Sequence, residues 1–219
     1  MPELVEPKVL NWASEVDDAT IQQAAKISRL PFVTGPVALM PDAHVGLGSA
    51  VGCVIPTKGA VIPAAVGVDI GCGMIAVRTD LNASDLPDNM QRYLPQAARD
   101  IPAGVGQGHE HMTAAAVAWF DVNPPPTPFT ERQAAAAHKQ FGSLGSGNHF
   151  YEVCLDEGET VWLVLHSGSR GIGNQLALAH ISKAKDLAKA MFLQLEDPDL
   201  AYFVEGTPAF RAYIADMLW

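Results

Sequence analysis

The chain reads as a mixed α/β (α+β) domain with a buried sheet, one β-hairpin and peripheral helices. Three observations predict this. Short apolar runs broken by Gly and Pro fill residues 36–79, the texture of buried strands joined by short turns. Two β-rich runs flank a polar turn, Asp156-Glu-Gly-Glu159. Stretches with helical spacing lie before and after both.

At 219 residues the chain suffices for one substantial core, and it is taken as a single domain over 1–219. With 48% hydrophobic and 17% charged residues, disorder is excluded. Cys53, Cys72 and Cys154 are too few and too odd for a disulfide framework, which suits the reducing cytoplasm. No apolar run is long enough to span a bilayer and the first residues lack a signal-peptide pattern, so no membrane role is expected. A net charge of −10 argues against a nonspecific nucleic-acid coat.

In chain order, Asp18 is expected to cap a helix carrying Ile21, Ala24, Ala25 and Ile27, which ends before Pro31. Strands follow at Val37–Met40, Ala50–Ile55, Ala60–Ile62 and Met74–Thr79. Short helices are expected from Pro87 to Ala98 and from Thr113 to Phe120, then an alanine-rich one capped by Thr130 and ending near Phe141. The hairpin pairs Phe150–Leu155 with Thr160–Leu165, and a long helix runs from about Asn174 to Leu195. Phe210, Tyr213, Ile214, Met217 and Leu218 keep helical spacing without a stop signal, so the domain is expected to be incomplete at its C-terminus.

Gly67-Val-Asp-Ile-Gly-Cys-Gly73 places a carboxylate, Asp69, three residues before a thiol, Cys72, in a loop that glycine allows to fold tightly. Such a pair can ligate metal if it finds partners. A tight turn with a surface Asp and a buried Cys is the competing reading. The hairpin offers the partners. If Asp156 pairs with Glu159, His149 falls opposite His166, on one face and about 4.5–5.5 Å apart at Cβ. A slip of one residue would separate the two faces.

Both histidines border glycine-rich loops, Gly142-Ser-Leu-Gly-Ser-Gly-Asn-His149 and His166-Ser-Gly-Ser-Arg-Gly171. The second leads into a helix, where free amides, Ser167 and Arg170 could hold a phosphate. An ordinary glycine-rich turn competes evenly. Asp42 and His44 fit groups that orient metal ligands, or plain turn residues, and Lys58 a phosphate contact or a solvated side chain. His109 and His111 read as solvated, His138 and His180 as structural or surface residues, and Cys53 and Cys154 as packed apolar groups.

Five segments together resemble the RtcB family of RNA ligases: Met40-Pro-Asp-Ala-His44, Ile55-Pro-Thr-Lys-Gly-Ala60, Pro63-Ala-Ala-Val-Gly-Val-Asp-Ile-Gly-Cys-Gly73, Gly142 to Phe150, and Leu165-His-Ser-Gly-Ser-Arg-Gly-Ile-Gly-Asn174. The resemblance implies a manganese- and GTP-dependent ligase of tRNA splicing and RNA repair. Its partners would be RNAs with 3′-phosphate or 2′,3′-cyclic phosphate ends and 5′-hydroxyl ends, such as tRNA halves, and an activating archease-type protein. It implies that Asp69, Cys72, His149 and His166 ligate two Mn2+ ions, with Cys72 bridging, and that Asn148, His149, Phe150, Tyr151 and Glu152 contact the guanine nucleotide. Manganese comes from the resemblance alone; the donor types by themselves suggest zinc.

The sequence also departs from the family. The resemblance puts the guanylylated histidine and one more ligand histidine beyond Trp219, so no catalytic residue is assigned within the chain. Position 47 is Leu where many relatives carry Lys, and residues 104–128 resemble the family weakly. Two other readings stay open: a zinc-dependent hydrolase using the same cluster, and a noncatalytic GTP- or RNA-binding fragment.

Overall fold

The structure is a computed structural model and describes residues 2–219. Its strands are β1 (Glu3–Glu6), β2 (Val9–Asn11), β3 (Val37–His44), β4 (Val51–Val54), β5 (Ala60–Val61), β6 (Gly73–Asn82), β7 (Phe150–Leu155), β8 (Thr160–Ser167) and β9 (Phe203–Val204). The helices are α1 (Asp18–Ser28), α2 (Pro63–Val66), α3 (Tyr93–Asp100), α4 (Ala114–Val122), α5 (Pro128–Gln140), α6 (Arg170–Ala190) and α7 (Pro208–Leu218). This is the mixed α/β class expected from the sequence. Among the described residues no helix is long and apolar enough to cross a membrane.

The chain divides into two compact units. One runs to Val68 and takes in Ala177–Ile214; the other is Asp69–Leu176 with Ala215–Trp219.

In the first unit a sheet of order β1-β2-β3-β4 carries α1 on one face, and β2 and β3 run parallel. Ala24, Ala25 and Ile27 of α1 bury against Val9, Val37 and Leu39. The cap of α1 is Asp17, not Asp18: the Asp17 carboxylate accepts from the Thr20 amide at 2.7 Å. Both residues suit the cap chemically, and the extended backbone of Asp17 decides.

At its far end α6 stops at Ala190, short of the expected Leu195, in a Schellman turn. Leu193 N–H bonds Ala188 C=O and Phe192 N–H bonds Lys189 C=O, both at 3.0 Å. Phe192 takes the left-handed position, φ 55, which glycine normally fills, and the residue is 88% exposed. No stop signal is legible because the stop residue is of the wrong type. We expect Phe192→Gly to stabilise the protein by about 1 kcal/mol, since the left-handed cost falls on Phe and little packing is lost. Thermal unfolding should rise by about 2–4 °C for a chain of this size.

The second unit is built on an antiparallel sheet of order β6-β8-β7 with α3, α4 and α5. Helix α5 is capped by Thr127, not Thr130. The Thr127 hydroxyl accepts from the Phe129 and Thr130 amides, and Thr130 closes the capping box. The expectation of strands buried on both faces fails for β4 and β6. Each is a sheet edge; Val51 and Val54 of β4 and Met74, Ile75 and Val77 of β6 are exposed.

The hairpin register also differs by one residue from the count. Phe150 opposes His166 and Leu155 opposes Val161, so Asp156 does not pair with Glu159. Glu159 adopts φ 61 and adds a bulge residue to the turn. The Asp156 carboxylate holds that turn by accepting from the Gly158 and Thr160 amides and from Trp162 Nε1.

Candidate metal centre

Three separate segments of the second unit meet at one point. The Asp69–Gly73 stretch leads into β6, the Gly142–His149 loop enters β7, and β8 ends in the His166–Arg170 turn. The ligand atoms of Cys72, His149 and His166 all lie within 4.8 Å of one another. Asp69 Oδ2 accepts from Cys72 Sγ at 3.1 Å and lies 3.1 Å from His149 Nε2. Cys72 Sγ and His149 Nε2 are 3.6 Å apart. The pairs at 3.1–3.6 Å fit a shared cation, since bonds of about 2.0–2.3 Å put neighbouring ligands about 3–4 Å apart, and His166 lies within 4.8 Å of Cys72 and His149.

The convergence of the two histidines survives the slipped register because His149 precedes the paired part of β7. It sits on the glycine-rich loop and is free of the strand's alternation. Its ring meets that of His166 edge-on, with centroids 5.1 Å apart. The ring packs directly over Gly168, where a Cβ would lie 2.1 Å from His149 Cε1.

Asp69 is the most heavily supported of the four side chains. The amide and hydroxyl of Ser169 both donate to its Oδ1, the amide at 3.1 Å. Burial alone would raise its pKa, but bonds from Ser169 and Cys72 and the nearby His149 bring it below the usual carboxylate value. The same surroundings act oppositely on Cys72. Burial, then the hydrogen bond to Asp69 and its charge, push the thiol up to about 11. A bound cation would reverse this, since metal binding drives the thiolate form.

Sequence reasoning singled out Ser167 in this turn, but Ser169 is the residue that holds Asp69. Ser167 pairs with Gly73 across β6 and β8, one residue on from His166 and so on the other side of the sheet. The two serines lie in one Ser-Gly-Ser run, and spacing alone does not distinguish them. Arg170 folds back onto its own turn: Nε donates to Gly168 C=O at 3.1 Å, and the guanidinium packs on Gly145. In this form it supports the loop. Its φ of 60 is what turns the chain from β8 into α6.

In the segment Asn148–Glu152, Asn148 is exposed at the loop end, and Phe150 and Glu152 share a sheet face with His166. Tyr151 faces the other way and its hydroxyl bonds that of Tyr93 on α3. Burial and Tyr93 raise the Tyr151 pKa to about 12. Asp42, His44 and Lys58 belong to the first unit and are exposed; His44 Nδ1 is 2.7 Å from Asp42 C=O. Next to the centre, in the second unit, a cavity of about 460 Å³ is lined by Ile70, Trp119, Phe141, Ser169 and Leu176.

The family profile described as tRNA-splicing ligase RtcB matches residues 23–219. The chain belongs to the RtcB family. It is 42% identical over 215 residues to RNA-splicing ligase RtcB of Escherichia coli K12, covering 90% of this chain and 52% of that protein. It is 28% identical over 231 residues to tRNA-splicing ligase RtcB of Pyrobaculum aerophilum, covering 84% of this chain and 48% of that one. The chain thus spans about half the length of the curated RtcB relatives it matches. Both loops of the candidate centre fall inside the matched region, and so does the β8–α6 turn.

Proposed function

We propose that this chain carries the metal-binding part of an RtcB-type RNA ligase. The full reaction would join RNA 3′-phosphate or 2′,3′-cyclic phosphate ends to 5′-hydroxyl ends in tRNA splicing and repair, using GTP and manganese. What supports the reading is the meeting of Asp69, Cys72, His149 and His166 at one point, from the segments that carry the family resemblance.

Those four residues would hold the metal, with Cys72 common to the carboxylate side and the His166 side. Bound there, divalent ions neutralise phosphate charge and stabilise phosphoryl transfer. The chain's own contribution is positional. Ser169 keeps Asp69 ionised and aimed, and Gly168 leaves room for the His149 ring. Asn148, Phe150 and Glu152 face the nucleotide side, while Tyr151 anchors β7 to α3. Reaction in the cytoplasm, on tRNA halves and with an archease-type activator, belongs to the same reading.

The guanylylated histidine belongs, on this reading, to the half of the relatives that this chain does not span. Mixed with GTP, Mn2+ and RNA bearing a 3′-phosphate and a 5′-hydroxyl, the chain alone should give no joined product on a denaturing gel. Adding the separately produced C-terminal half of the E. coli relative should restore joining. Efficient ligation by this chain alone would overturn the assignment of the nucleophile.

A zinc-dependent hydrolase is the second reading, favoured by the Cys72, His149, His166 set, which suits a three-ligand zinc site. Stoichiometric zinc that manganese does not displace would decide for it.

A further inference from the structure

Pairing in the second sheet puts nine side chains on the face that carries His166. Across the strands they form three rows: Met74, His166 and Phe150; Ala76, Val164 and Glu152; Arg78, Trp162 and Cys154. The first row ends at the metal centre. The third lies four residues down β8 from His166, about 13–14 Å away by the strand rise. A nucleotide with its phosphates at the centre and its length along β8 would carry its base over the second and third rows.

The polar groups there are complementary. Glu152 is exposed on one side strand and Arg78 on the other, diagonally opposed at a Cα separation on the order of 12 Å. Arg78 has no ion pair among the described residues. Between them Trp162 is fixed by its bond to Asp156, 2.9 Å from indole N to carboxylate, and offers an aromatic floor.

We propose that Arg78 is a specificity residue that reads the guanine base of the nucleotide held at the metal centre. This rests on the reading that the centre takes a guanine nucleotide. The guanidinium fork donates to the O6 and N7 acceptors of guanine. Adenine presents an amino donor in place of O6, which faces the fork with like polarity, so Arg78 selects against it. A carboxylate on the opposite side cannot make this distinction at N7, and Arg78 is the one Lys or Arg among the nine.

The test uses the whole 219-residue chain with Mn2+ and measures binding of GTP, ATP and 7-deaza-GTP by calorimetry. The last lacks only the N7 acceptor. Wild-type protein should bind GTP at least about 10-fold more tightly than ATP, and more tightly than 7-deaza-GTP. In Arg78→Met the N7 preference should collapse toward unity and the preference for GTP over ATP should shrink to what Glu152 alone supports, with metal affinity and circular dichroism unchanged because the side chain is exposed. Arg78→Lys, which keeps the charge and loses the fork, should restore little of the N7 preference.

If wild-type protein prefers GTP and responds to N7 but Arg78→Met does the same, the role of Arg78 is wrong and the nucleotide reading stands. If wild-type protein binds Mn2+ but no GTP, or binds GTP and ATP alike, both fall.

Discussion

Cys72→Ala should abolish divalent-metal binding while leaving the fold intact. The sulfur is the common atom of the centre. It lies 3.1 Å from Asp69 Oδ2 and 3.6 Å from His149 Nε2, and it belongs with both imidazoles to the group spanning 4.8 Å. Changing a group that merely orients a ligand costs about 10–100-fold in metal affinity, so removing the central ligand should cost about 100-fold or more. Stability should hardly change. Cys72 is exposed, it is no part of a packed core, and its loss removes a weak thiol donor to Asp69.

Titration with Mn2+, followed by the resonance signal of the free ion, checks the affinity, and thermal unfolding without metal checks the fold. Cobalt gives an independent readout, because a thiolate-to-cobalt charge-transfer band should appear in wild-type protein and vanish in the variant. Unchanged affinity in Cys72→Ala would mean that the metal is held elsewhere.

The meeting of these four side chains was legible in the sequence to the extent that they sit on chemically marked loops. Asp69 and Cys72 stand three apart among glycines, and His149 and His166 flank the two arms of one hairpin. A two-residue hairpin turn also predicts that the two imidazoles meet, but Glu159 adopts a left-handed conformation and shifts the register by one. The loop position of His149 made up the difference.

What stayed hidden was support that depends on three-dimensional contact. Ser169 over Ser167, Gly168 under the His149 ring and Gly145 under Arg170 leave no spacing signature, because their partners are 100, 19 and 25 residues away in the chain. The helix caps show the same limit at short range. Asp17 and Asp18, or Thr127 and Thr130, are equivalent in composition, and only the backbone angle selects one. Exposure of β6 was also unreadable, since an apolar run looks alike whether or not its neighbours cover it.

Gly168→Ala should disable the centre nearly as fully as removal of His149, although it alters no ligand. A Cβ at position 168 would lie 2.1 Å from Cε1 of the His149 ring, 2.5 Å from Nε2 and 2.7 Å from Nδ1. Real Cβ atoms do not approach that closely, so the ring or the turn must move. The turn is the stiffer of the two: Gly168 N–H bonds Leu144 C=O at 3.2 Å and its own carbonyl accepts from Arg170. The imidazole therefore swings out and takes Nε2 away from Asp69 and Cys72.

Metal affinity should fall by about 10–100-fold, the range seen when a ligand is misoriented. Gly171→Ala, three residues on, is the control. The nearest atom to its Cβ is Gln175 Nε2 at 3.8 Å, an ordinary contact, and affinity should not change. A double-mutant cycle isolates the cause. In a His149→Ala background the ring is gone, and adding Gly168→Ala should cost nothing more in metal binding. If the second substitution still lowered affinity there, Gly168 would be acting on the turn through Arg170 or Leu144, and not on His149.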